Sequence, residues 1–145
     1  MIGRLRRAWP RPREDRAGVW KRGERAAAGA MRRAGCRVLA RNLVLGPGEI
    51  DLLCEDRARG ELVVVEVKAR LGRAADARPE ETVTAAKRRK LVQLVRALQR
   101  DPKAQGRPVR VDVVAVVYEP GRRRPVAVRR YERAVTARDG VRGGA

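Results

Sequence analysis

Residues 48–70 read GEIDLLCEDRARGELVVVEVKAR, two apolar runs of strand type that carry Asp51, Glu66 and Lys68 inside them. Asp and Glu are depleted in strands and seldom buried without a partner, so any fold that accepts this segment must accommodate those acids. Side chains alternate along a strand, and residues two apart share a face. In 48–55 the alternation sends Glu49, Asp51, Leu53 and Glu55 one way and Ile50, Leu52 and Cys54 the other. In 61–70 it sends Leu62, Val64, Glu66 and Lys68 one way and Val63, Val65 and Val67 the other. Each strand therefore has one apolar face and one mixed face. Pairing them with the mixed faces aligned brings Asp51 and Glu66 together.

Around this hairpin the pattern predicts helix, three strands, helix, two strands. A helix from near Ala17 to Ala34 stops at Gly35, with Trp20, Glu24, Ala27, Ala28 and Met31 as its inner stripe, so that Glu24 falls on the apolar face. CRVLARNLVL (36–45) is the first strand, turning through Gly46-Pro47-Gly48 into the second. After a loop over 71–81, a second helix runs over 83–100, capped by Thr82 or Thr84, with Leu91, Leu94, Val95 and Leu98 as its buried stripe. Strands over 110–118 and 125–132 complete one domain, 17–132. Residues 1–16 read as a flexible basic arm and 133–145 as a flexible tail.

Two carboxylates brought together repel, and one is forced to keep a proton unless a cation intervenes. Mg²⁺ takes one or two carboxylates, keeps several waters and accepts phosphate oxygens for the rest. Lys68 emerges on the face of Glu66, where it can hold an attacking water or stabilise charge on a phosphate. Asp51, Glu66 and Lys68 thus make a workable phosphodiester-cleaving site with Mg²⁺ or Mn²⁺, and Glu24 is a candidate further ligand. The competing reading takes Glu66 and Lys68 as a solvated edge pair and Asp51 as a turn residue. Glu55 and Glu61 are read as solvated, and Asp112 as a structural acid that pairs with Arg110 or a helix cation.

Charge narrows the partner. The formal net charge is +19, from 36 Lys and Arg against 17 Asp and Glu. The same Arg-rich, Phe-free composition is what a GC-rich genome writes, but the excess is greater than solubility requires. Cationic surfaces of this kind release counterions from nucleic acid. Lys87, Arg88, Arg89 and Lys90 open the second helix, whose N-terminal dipole adds to their attraction for phosphate. Only Trp9, Trp20, Tyr118 and Tyr131 are aromatic, too few for stacking single strands, so a duplex or branched structure is favoured; DNA is the expected partner ahead of RNA. The apolar runs are too short to span a membrane, the first residues lack the apolar stretch of a secretory signal, and Cys36 and Cys54 are too few for a disulfide framework. A cytoplasmic protein is expected, without the imidazole chemistry that His provides.

The blocks RGERAAAGAMRRAGCRVLARN, GEIDLLC, LVVVEVKAR, VTAAKRRKL and VDVVAV resemble, in order and spacing, the YraN-like family, uncharacterised protein family UPF0102. That family looks like a branch of the PD-(D/E)xK nuclease superfamily, similar to archaeal Holliday-junction resolvases. The resemblance implies an α/β fold with a restriction-endonuclease-like core, a central mixed sheet flanked by helices. It also implies that Glu24 is the first-helix glutamate, Asp51 the metal-binding aspartate, and Glu66 with Lys68 the E-x-K pair. The Val67 carbonyl becomes a backbone metal ligand and a homodimer becomes plausible by analogy. Ala69 departs from the pattern, which tends to have Thr there. The expected function is a divalent-metal-dependent endonuclease acting on structured or branched DNA. The alternative is a non-catalytic nucleic-acid-binding module on a retained nuclease fold.

Overall fold

Two valine-rich runs, LVVVEV over 62–67 and VDVVAVV over 111–117, are apolar on both faces of an extended chain apart from one acid each, so both faces need cover. In the computed structural model, which describes residues 18–77 and 83–136, they lie at the middle of a mixed sheet. Strands β1 (Cys36–Leu45), β2 (Gly48–Asp56), β3 (Glu61–Leu71), β4 (Val109–Tyr118) and β5 (Ala127–Val135) lie side by side in chain order. β3 and β4 are parallel, and every other neighbouring pair is antiparallel.

A parallel pair requires a long crossover, and helix α2 (Ala85–Arg100) provides it. Its Leu91, Leu94 and Leu98 pack on Leu53, Leu62, Val64 and Val113. Helix α1 (Val19–Arg33) covers the opposite face, where Ala27, Ala28 and Met31 meet Val63, Val65, Val67 and Val114. The result is an α/β fold, a five-stranded mixed sheet flanked by two helices, compatible with a restriction-endonuclease-like core.

Helix ends follow local chemistry. The Thr84 hydroxyl accepts the Lys87 N–H at 3.1 Å, so α2 begins after the cap, at Ala85 rather than at Val83. Gly35, at φ +86°, ends α1 in a conformation that a side chain disfavours. Short 3₁₀ turns occupy Ala74–Asp76, within the expected loop, and Pro102–Ala104. β5 runs on to Val135, past its expected end at Glu132, because Val135 joins the core under α2. The expected arm at 1–16 lies outside the described residues; of the tail expected at 133–145, residues 133–135 belong to β5 and those beyond Thr136 lie outside the described residues. Among those residues no helix is long and apolar enough to cross a membrane.

Two sequence expectations are corrected. Glu55 and Glu61, read as solvated, are 3% and 8% exposed. Arg107 holds Glu55 at 2.8 Å and Arg133 holds Glu61, an ion-pair partnership across elements that strand spacing does not reveal. Ile50, assigned by alternation to the face of Leu52 and Cys54, instead packs with Leu43 and Leu53 beneath α2. The cause is a break in the sheet that also builds the site.

α1 docks closely on the end of β3. A Cβ added at Gly23 would lie 2.6 Å from the Ala69 Cβ, so glycine permits the approach that brings the neighbouring Glu24 inward. Gly23→Ala is therefore expected to lower stability by about 1–3 kcal/mol through overpacking, against the ~1 kcal/mol by which Ala is the better helix former. Urea unfolding measures this directly. An unchanged or raised midpoint shows that α1 can shift without loss, and that Gly23 does not set its position.

Candidate active site

The β2–β3 ladder ends where Leu52 pairs with Val65. The next pair would be Asp51 with Glu66, but it does not form. Instead the Asp51 carboxylate accepts the Val67 N–H at 2.8 Å, replacing a ladder bond with a side-chain bond. The N–H and C=O of one strand residue leave on the same edge, so the Val67 carbonyl faces the side that β2 has vacated.

On β1 the matching irregularity is Asn42. It lies between the pairs Arg41–Leu52 and Leu43–Ile50, opposite Asp51, with φ 48°. Asn is among the few residues that tolerate this left-handed conformation. The kink at Asn42 and Asp51 turns Ile50 to the α2 face while Leu52 keeps the α1 face. The Asn42 side-chain amide donates to Glu24 at 3.2 Å, tying α1 to the kink. The Asn42 carbonyl oxygen is buried with no hydrogen-bond partner among the described residues.

Three acids meet here from three elements: Glu24 on α1, Asp51 on β2 and Glu66 on β3, at 5%, 6% and 2% exposure. Burial pushes the Asp51 pKa up to about 7, the Glu66 carboxylate adds to the rise, and Glu24 adds further. The Val67 N–H and the Lys87 ammonium pull the other way. The Lys68 ammonium lies 3.5 Å from one Glu66 oxygen, and the Lys87 ammonium lies 3.4 Å from the same oxygen. The structure thus gathers Glu24, Asp51, Glu66, Lys68 and the Val67 backbone at one place.

The four basic residues of α2 do not act together. Lys87 turns into the acid cluster. Arg88 donates to the Ala134 carbonyl at 2.9 Å and ties α2 to β5. Arg89 and Lys90 are exposed, and the Lys90 chain passes over Gly48 in the β1–β2 hairpin. Sequence reading placed Lys87 with its helical neighbours and missed its contact with Glu66. It also missed Asn42, whose one signal was a residue tolerant of positive φ inside a strand pattern.

Among the described residues, no three Asp, Glu, His or Cys side chains are arranged to hold a metal by themselves. A hard divalent cation does not need three, since one or two carboxylates with backbone oxygen and water suffice. The oxygen donors of Asp51 and Glu66, the raised Asp51 pKa and the unpartnered Asn42 carbonyl suit such a cation. A soft thiophilic metal does not fit, because Cys36 and Cys54 are both buried in the core beneath α1.

A second charged cluster centres on Asp112 of β4, which pairs with Val65, the residue before Glu66. Asp112, fully buried, accepts from Arg110 at 3.1 Å and Arg130 at 3.2 Å, as the structural reading of Asp112 requires. Every acid there has an arginine. The acids of the candidate site have lysines on Glu66 and a backbone N–H on Asp51.

Residues 23–116 match the uncharacterised protein family UPF0102. The chain is 45% identical over 103 residues to a UPF0102 protein of Symbiobacterium thermophilum, covering 71% of this chain and 83% of that one. A UPF0102 protein of Roseiflexus castenholzii is 41% identical, with 72% of this chain and 81% of the relative covered. One from Persephonella marina is 37% identical over 67% of this chain and 81% of its own.

Proposed function

The chain belongs to uncharacterised protein family UPF0102, and from that premise we propose that it is a divalent-metal-dependent endonuclease that hydrolyses phosphodiester bonds in structured or branched DNA. One observation carries this reading: Asp51 is buried beside Glu66 with its carboxyl pKa pushed up to about 7, while two lysines stand over Glu66. Burying acids together costs stability unless a cation belongs among them.

Asp51, Glu66 and the Val67 carbonyl would hold Mg²⁺ or Mn²⁺. Such an ion supplies a nucleophilic water at neutral pH and neutralises charge on the phosphate. Lys68, held on β3 within 3.5 Å of Glu66, would orient an attacking water or stabilise the charge that builds on the phosphate. Glu24, held by Asn42, adds a carboxylate from the far layer of the fold. Arg89 and Lys90 present exposed charge on the α2 face for backbone phosphates, and the net charge of +19 adds a long-range attraction to any polyanion. The two buried free cysteines suit a reducing cytoplasm, and action as a homodimer is part of the same reading.

The test is cleavage of labelled duplex, single-stranded, flap and four-way-junction DNA, with RNA controls, in Mg²⁺, Mn²⁺ or EDTA. Metal-dependent cutting that falls about a hundredfold or more in Glu66→Gln, with DNA binding retained, is the expected result. Salt-sensitive binding that ignores metal, with no cutting of any substrate, overturns the nuclease in favour of a binding module.

A further inference from the structure

Lys87 and Lys68 reach the same Glu66 oxygen from different elements, one from α2 at 3.4 Å and one from β3 at 3.5 Å. Lys87 is not a loosely placed surface lysine. The Thr84 cap fixes its turn of helix through its own N–H, and the next residue, Arg88, pins that turn to β5. Its side chain is still 34% exposed, so its ammonium group borders both the acid cluster and the outside. One carboxylate does not need two ammonium groups.

We propose that Lys87 is a second catalytic lysine, held against Glu66 in the free protein and turned to the scissile phosphate when DNA is bound. The inference rests on the nuclease reading and deepens it. With Glu24, Asp51 and Glu66 ionised, the three carboxylates and one phosphodiester carry four negative charges. A divalent cation and two lysines match them, whereas Lys68 alone leaves the assembled site one charge short. Arg89 and Lys90, exposed on the same helix, have no part in this balance. Because Lys87 neutralises Glu66, it also opposes a divalent cation there.

The test measures three quantities for the parent, Lys87→Ala and Lys87→Arg: single-turnover cleavage at saturating DNA, the DNA dissociation constant against salt, and Mn²⁺ binding without DNA by calorimetry. In Lys87→Ala, cleavage at saturation is expected to fall about a hundredfold. The DNA dissociation constant changes little, and Mn²⁺ binds about fivefold tighter, the upper range for a partly exposed ion pair. Lys87→Arg keeps the charge and recovers part of the rate.

Full cleavage by Lys87→Ala at saturation, with weaker DNA binding and a salt slope reduced by about one, overturns the proposal and returns Lys87 to the phosphate-backbone contacts. Unchanged Mn²⁺ affinity in that variant overturns its hold on Glu66. A parent that cuts no DNA overturns the nuclease reading itself, a different result from a parent that cuts and a variant that cuts equally well.

Discussion

Asp112→Ala is expected to lower the free energy of unfolding by about 3–5 kcal/mol. Asp112 is at 0% exposure on β4 and accepts four bonds: two from Arg110, one from Arg130 and one from the Arg133 backbone N–H. The last of these repairs a flaw in the sheet. The β4–β5 register shifts between Val111 and Val113, Arg133 takes φ 54°, and its N–H bonds to the Asp112 carboxylate at 3.1 Å instead of to a ladder carbonyl. Removing Asp112 leaves Arg110, itself 5% exposed, with Asp56 as its closest acid at 2.6 Å and a buried positive charge only partly balanced. Replacing one partner of a buried pair is costly, whereas replacing both with apolar groups of similar volume often is not. The double variant Arg110→Met with Asp112→Leu should therefore lose less than the sum of its single variants in urea unfolding. A loss under about 1 kcal/mol for Asp112→Ala shows that Asp56 and Glu61 satisfy Arg110 unaided, and that the cluster does not hold β5 in place.

The element order, the strand ends at Cys36 and Leu45 and the stripe of α1 are legible in the sequence, because periodicity and glycine turns are local signals. What sequence reading cannot distinguish is why a strand carries an acid. EIDLL and VDVV look alike, and in both the aspartate accepts a backbone N–H at a break in the sheet, from Val67 for Asp51 and from Arg133 for Asp112. Their roles separate only through contacts distant along the chain. Arg110 and Arg130 neutralise Asp112, while Glu66 and Glu24 crowd Asp51. The burial of Glu55 and Glu61 is not legible for the same reason, since their arginine partners, Arg107 and Arg133, come from elsewhere in the chain. Alternation failed at Ile50 because it assumes an unbroken strand, and positive φ at Asn42 breaks the pleat. The order helix, three strands, helix, two strands survives these errors, because it depends on apolar burial rather than on the pairing of charges.

Asp51→Asn should abolish cleavage, about a thousandfold or more, and at the same time make the protein more stable. Asn retains an oxygen to accept the Val67 N–H and sheds the charge that Glu66 and Glu24 oppose. The sign of the pH dependence follows from the raised pKa. The folded carboxyl titrates near 7 and the unfolded one near 3.8, so between those values the folded state holds the extra proton. Stability associated with this group is complete below the unfolded value and is lost as pH rises through about 7. Measured in EDTA, parent and variant should be closely matched near pH 4, and by pH 8 the variant should be more stable by a few kcal/mol, with a ceiling of about 4 set by the pKa difference. Mn²⁺ should reverse the order by raising the parent's melting temperature and leaving the variant's unchanged, since an ion that binds only the folded parent stabilises it by mass action. A residue kept at a cost to stability is what a functional site predicts. If Asp51→Asn is less stable than the parent at pH 8 by as much as at pH 4, the carboxylate serves as the acceptor that holds Val67. Its burial beside Glu66 then reflects folding rather than chemistry.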